Sequence, residues 1–164
     1  MGEQLEQPSA DPTWAILCLN GPNLNLLGVR EPERYGTMTL AELNQELEAL
    51  GRDLGASVSC RQSNHEGELI DWLHQSRGRI DALLINPAGL THTSVALRDA
   101  VLAVDVPSYE VHITNVYQRE PFRHTSLFAD VCRSRLMGFG PFGYMLALRG
   151  AIHDLQVARR RANT

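Results

Sequence analysis

The chain has 164 residues, of which 43% are hydrophobic and 21% charged, and a net charge of −4. That length and balance suit one domain with a sizeable core, and they argue against a general affinity for nucleic acid or anionic membrane. All 15 basic residues are Arg and there is no Lys, so a lysine Schiff base and a P-loop lysine are both excluded.

The first dozen residues are polar and acidic, without the basic and apolar regions of a signal peptide, and read as a flexible tail. Trp14–Leu19 is an apolar run that suits a buried strand. It ends in Asn20, Gly21, Pro22, Asn23 and Asn25, and a long loop follows with Arg30, Arg34 and Tyr35. Loops of more than about 12 residues without structure of their own are usually functional or disordered, and this one reads as a lid over an active site. Leu40, Leu43, Leu47, Leu50 and Leu54 then recur at helical spacing. Thr39 with Glu42 makes a capping box, Met38 with Leu43 a hydrophobic staple, and Gly55 a C-terminal stop.

Ser57–Ser63 alternates with period two, as a half-buried edge strand does. A helix is expected over Glu66–Ser76, a strand over Asp81–Asn86, a helix over Ser94–Val104 capped by Thr93, and a strand over Pro107–Ile113. An irregular segment, Val116–Ser126, precedes a fifth strand within Leu127–Met137. Pro141 suits the first position of a last helix that runs into an Arg-rich end. Strands alternating with helices imply an α/β fold, here a flavodoxin-like three-layer sandwich with a five-stranded parallel sheet. The expected division is a tail over 1–12, a single α/β domain over 13–158 and a flexible tail over 159–164.

In such sheets ligands bind beyond the carboxyl ends of the strands. Polar residues gather there: Asn20, Asn23 and Asn25, then Asn64 and His65, then Asn86 and His92, then Glu110, His112, Thr114 and Asn115. A single Asn after a strand is explained by turn chemistry. The repetition suits a pocket for a hydroxylated, anionic small molecule, with Arg30, Arg123 and Tyr35 added from irregular segments. Gly21 and Gly28 lack the G-x-G-x-x-G spacing of a dinucleotide cradle. His65, His92, His112 and His124 lack the i, i+3 or i+4 pairing of a helical metal site. His74 and His153 read as solvated helix positions, and the bland reading of Asp99 is also a surface charge. Cys18, Cys60 and Cys132 form no C-x-x-C pair and fit small core residues in a reducing cytoplasm.

LNGPNLNLLGVREPERYG, QSNHEGELIDWLH, INPAGLTHTSVALRDA, YEVHITNV, REPFRHTS and GFGPFGYMLAL, in that order, resemble the successive signatures of type II 3-dehydroquinate dehydratase. The resemblance runs from about Trp14 to about Leu148. It implies a flavodoxin-like lyase that removes water from 3-dehydroquinate to give 3-dehydroshikimate, with no cofactor and no metal. It also implies a cytoplasmic homo-dodecamer, a tetramer of trimers. By the resemblance Tyr35 is the base. A phenol of pKa ~10 is a poor base at neutral pH unless its anion is favoured, and Arg30 on the same loop can supply that charge. Lid closure then assembles the base. His112 resembles the general acid, and Glu110, two residues earlier on one strand face, is suited to orient it and raise its proton affinity. Asn23 resembles the residue that fixes the acid and an ordered water at the enolate. Asn86 with the backbone amides of Ile113 and Thr114 would hold the carboxylate, and His92 and Arg123 the ring hydroxyls. Asp99 matches a residue that reaches a neighbouring subunit's site.

Three departures stand out. Thr114 replaces the usual Ser. INPAGLTHT replaces the more usual INPGAYTHT, losing an aromatic at Leu90 beside the site. Arg133 and Arg135 stand in a strand that is usually apolar and are expected to face a subunit contact or solvent. Two competing readings stay open: a flavodoxin-like binding or response module without catalysis, and a metal-dependent hydrolase or lyase built on the histidines.

Overall fold

The computed structural model describes residues 13–29 and 37–164. The expected tail over 1–12, and Arg30 and Tyr35 of the expected lid, lie outside the described residues. The apolar runs form β1 (Trp14–Asn20), β2 (Ala56–Gln62), β3 (Ala82–Asn86), β4 (Ser108–His112) and β5 (Ser134–Met137). They make one five-stranded sheet in the order β2-β1-β3-β4-β5, every neighbouring pair parallel. Parallel neighbours need crossover connections. Helices α1 (Leu40–Asp53), α2 (Glu66–Ser76) and α3 (Val95–Val104) supply three of them, and α4 (Phe142–Ala162) closes the chain. This is the flavodoxin-like order, with its switch point between β1 and β3.

Successive strand residues face opposite sides, so each central strand feeds two cores. Ile16, Cys18, Leu84 and Val111 pack towards Leu43 and Leu47 of α1 and Tyr144 and Leu148 of α4. Leu17, Leu19, Leu83 and Ile85 pack towards Leu69 and Leu73 of α2 and Leu97 and Val101 of α3. Edge strand β2 shows the expected alternation of inward and outward residues. Cys18 and Cys132 are buried, Cys60 is half-buried, and all three are free thiols.

The helix ends follow local chemistry. The Thr39 hydroxyl accepts from Glu42 N at 3.2 Å, and Glu42 Oε2 accepts from Thr39 N at 2.8 Å, closing the capping box. That contact with the Thr39 backbone holds the Glu42 carboxyl below its usual range. Gly55 follows α1 at φ +74, which a side chain resists. The cap of α3 is Ser94, not Thr93: its hydroxyl accepts from Leu97 N at 2.8 Å, whereas Thr93 is the C-cap of the preceding turn. Pro141 is the residue before α4 rather than its first. That helix continues through Arg159, Arg160 and Arg161 to Ala162, past the expected boundary at 158.

Candidate active site

The ends of β1, β3 and β4 lie level, with Asn20 beside Asn86 and Ile85 beside Glu110 in register. Above them opens a cavity of about 260 Å³. It brings together Asn23, Asn86, His92, His112, Ile113, Thr114 and Arg123 of the expected set. Its floor is tight. A Cβ on Gly21 would come within 2.5 Å of the Pro87 carbonyl oxygen, so the turn after β1 fits against the turn after β3 only with glycine. Asn23 sits in the left-handed region at φ 70, which Asn tolerates, and its N–H donates to Asn64 Oδ1 at 2.8 Å. Asn64 thus supports the cavity rim, while Asn25, Asn115, His65 and His124 are not among its lining residues.

Alternation along β4 decides the next feature. Tyr109, Val111 and Ile113 turn to one core, which leaves Glu110 and His112 side by side on the opposite face. His112 Nε2 lies 2.7 Å from Glu110 Oε1. An ionised carboxylate only accepts, so Nε2 carries the proton of that bond and Nδ1 is the ring nitrogen that Glu110 does not engage. Glu110 is completely buried. Burial pushes its carboxyl up. The hydrogen bonds from His112 and Thr91 and the charges of His112 and Arg135 outweigh that, and the net direction is down. The Thr91 hydroxyl donates to Oε1 through a short bond, and Ser126 Oγ lies 3.0 and 3.1 Å from the two oxygens.

Arg135 completes this cluster, which corrects its expected placement at solvent or a subunit contact. It pairs with Glu110 across the β4–β5 register, and its Nε lies 2.6 Å from Oε2, with the side chain 15% exposed. Arg133 pairs instead with Asp154 of α4 at 2.5 Å and keeps much of its side chain in solvent. Leu90 packs with the α2/α3 core and is not itself a lining residue, while its neighbour Gly89 is.

A second buried group lies beneath Asn86. The Tyr144 hydroxyl donates to Asn20 Oδ1 at 2.7 Å and accepts from Asn86 Nδ2 at 2.8 Å, while Asn86 Oδ1 accepts from Ala88 N at 3.1 Å. Burial, helped by Cys18, pushes the Tyr144 phenol well above its usual range, so it remains a neutral donor. Tyr144 escaped the sequence reading. Its signal was a phenol in the inner stripe of an amphipathic helix, where a hydroxyl needs a partner. Ala88 stands at φ +53 where the family pattern has Gly.

On the far side His92 Nδ1 lies 2.6 Å from the Thr125 carbonyl, which leaves Nε2 as an acceptor towards the cavity. Burial lowers its proton affinity. The Thr125 carbonyl opposes this, His112 and Arg123 add to it, and the net direction is down. Arg123 Nε is held by Glu120 at 2.7 Å. Arg119 lines the cavity beside it, though the sequence reading assigned it no role. Its place in REPFRHTS, one turn before Arg123, was the available signal. Asp99 is exposed and outside this cavity. Among the described residues no three His, Cys, Asp or Glu side chains are grouped to hold a metal ion. The arrangement is a polar cavity lined by two arginines, with one buried carboxylate–imidazole pair at its floor.

A family model described as class II dehydroquinase matches residues 14–152. The 3-dehydroquinate dehydratase 2 of Pseudomonas aeruginosa is 55% identical over 83% of this chain and 92% of its own. The catabolic 3-dehydroquinase 2 of Aspergillus flavus is 54% identical over 86% of this chain and 94% of its own. The crystal structure of type II dehydroquinase from Propionibacterium acnes superposes with a TM-score of 0.84 at 40% identity, covering 88% of this chain and 99% of that one.

Proposed function

Since the chain belongs to the class II dehydroquinase family and is a 3-dehydroquinate dehydratase, a lyase of shikimate and quinate metabolism, we propose how its residues divide the dehydration. The substrate ring carries a ketone, a carboxylate and a hydroxyl β to the ketone. Tyr35, ionised beside Arg30, takes the proton from the carbon next to the ketone. The electron pair becomes an enolate, which a water held by Asn23 stabilises. The enolate then collapses to form the ring double bond, the C–O bond breaks, and the departing oxygen takes a proton from His112 and leaves as water. Solvent exchange returns the base and the acid to their starting states.

The observation that carries this reading is the Glu110–His112 pair: a histidine lining the cavity, held at 2.7 Å by a fully buried carboxylate. It suits a fixed general acid. Asn86 and the amides of Ile113 and Thr114 take the substrate carboxylate. His92 takes a hydroxyl through its free nitrogen, and Arg123 another. Arg119, in the same lining, adds positive charge for an anionic ring. The reaction uses neither cofactor nor metal.

Tyr35→Phe removes the phenolate. It is expected to abolish formation of the conjugated enone, read by ultraviolet absorbance, while 3-dehydroquinate still binds. Near-normal turnover would sink the assignment of the base. Arg30→Ala is expected to lower kcat far more than it raises KM. The assembly is proposed to be a dodecamer in the cytoplasm, a tetramer of trimers, in which the exposed Asp99 reaches a neighbour's Arg30 and Tyr35. Light scattering at twelve times the chain mass checks it, and a monomeric mass with full activity would refute it.

A further inference from the structure

We propose that Arg135 is a positioning residue for the dehydration, the standing counter-charge of Glu110 that lets His112 give up its proton without stranding a buried carboxylate. The proposal rests on His112 acting as the acid.

Three observations support it. Glu110 and Arg135 are direct partners in the β4–β5 ladder, so the pair is built into the sheet and not into a mobile loop. The two cations divide the carboxylate: His112 takes Oε1 at 2.7 Å and Arg135 faces Oε2 at 2.6 Å. Arg135 Nε and Nη2 are both buried and make no hydrogen bond of regular geometry among the described residues, so the 2.6 Å approach to Glu110 Oε2 is an ion pair, and Glu110 is the carboxylate that compensates this guanidinium there.

The charge balance during the reaction gives the pair its consequence. Before proton transfer the cluster holds imidazolium, carboxylate and guanidinium. After transfer the imidazole is neutral, and the carboxylate is still balanced by the guanidinium. With an apolar residue at position 135 the starting state would be the balanced one. Transfer from Nδ1 would then leave an uncompensated carboxylate, wholly buried, with only neutral donors around it: the Nε2–H of His112 and the hydroxyls of Thr91 and Ser126. Uncompensated buried charge is strongly unfavourable, so that arrangement would hold the proton on His112. Arg135 therefore favours donation without touching the substrate cavity, whose lining does not include it.

The test is steady-state turnover of 3-dehydroquinate by the full chain, with folding checked by circular dichroism. Arg135→Leu is expected to lower kcat on the order of tenfold, part of the ~10²–10⁴ that a general acid supplies, and to leave KM within about threefold. Arg135→Lys restores the charge and is expected to recover most of the rate. Glu110→Gln combined with Arg135→Leu is expected to be no slower than Glu110→Gln alone, because Arg135 acts only through that carboxylate. A folded Arg135→Leu enzyme with parent kcat, a change confined to KM, no recovery with Lys, or losses that multiply in the double variant would each overturn the proposal. Should Arg135→Leu fail to fold, Arg135→Gln set against Arg135→Lys gives the same contrast of neutral with charged. His112→Ala is run beside them. Parent activity there would remove the acid assignment and the proposal together, whereas an inactive His112→Ala beside a normal Arg135→Leu removes the proposal alone.

Discussion

Two buried polar clusters underlie the cavity, one on each face of the sheet, and they meet the cost of burial differently. On the α1/α4 face Asn20, Tyr144 and Asn86 are neutral, and each hydrogen bond exchanges with water at a net gain of about 1 kcal/mol. On the α2/α3 face Glu110 and Arg135 form an ion pair, and the carboxylate is stable there because that guanidinium, the His112 N–H and the hydroxyls of Thr91 and Ser126 surround its oxygens. The neutral cluster fixes the Asn86 side chain at the cavity, and its phenol keeps its proton near neutral pH. The charged cluster can hold and release one. In the proposed mechanism the first supplies position and the second proton chemistry.

The comparison can be broken at four points. Glu110→Ala removes the hub of the charged cluster and leaves Arg135 buried without its partner. Unfolding in urea is expected to show a loss of about 3–5 kcal/mol, with kcat falling sharply. Tyr144→Phe removes one hydroxyl and leaves Asn20 Oδ1 and Asn86 Nδ2 unpaired, at about 1–3 kcal/mol. Its kinetic effect should fall mainly on KM, because Asn86 loses its orientation while the acid is untouched.

Acid should separate the clusters further. The folded pKa of Glu110 lies below its ordinary value of 4.5. Its contribution is therefore fully present above about pH 4.5 and is lost as pH falls through the lower folded value. Arg135→Leu removes one of the charges that lower it, so stability should fail at higher pH than in the parent. Tyr144→Phe should leave the pH dependence unchanged. The smallest effect is expected from Ala88→Gly. Relief of a left-handed alanine, about 1–2 kcal/mol, is offset by about 0.4–1 kcal/mol of added unfolded-chain entropy. A gain of under about 1 kcal/mol in thermal unfolding, with kcat preserved, would show that this strain is structural.

Much of the fold was legible in the sequence because its signals are local. The capping box at Thr39, the glycine stop at Gly55 and the leucine period between them depend on neighbours within a few turns. Thr93 and Ser94 show the limit of such reading. Both are good capping residues, and the hydrogen bond from Leu97 N selects Ser94. At the site, Asn23, Asn86, His92 and His112 were legible because a parallel sheet puts the ends of its strands on one side, wherever they lie in the chain.

Arg135 was misplaced for the opposite reason. An arginine in a short strand is ordinarily an outward residue, and only the register of β5 against β4 sets it beside Glu110. Tyr144 and Asn20 lie 124 residues apart in sequence, and no periodicity links them. Leu90 follows a site asparagine closely yet packs with the other core, from within the single tight turn over Ala88–His92.

By itself the sequence determined the order of elements, the class of fold, the absence of lysine chemistry and which polar residues end the strands. These follow from propensity, period and composition, which act over short stretches of chain. Only the tertiary structure decided which of those residues share a cavity, which nitrogen of His112 is free, and which cation neutralises Glu110. Those depend on strand register and on burial, and burial is a property of the packed molecule that no segment carries alone.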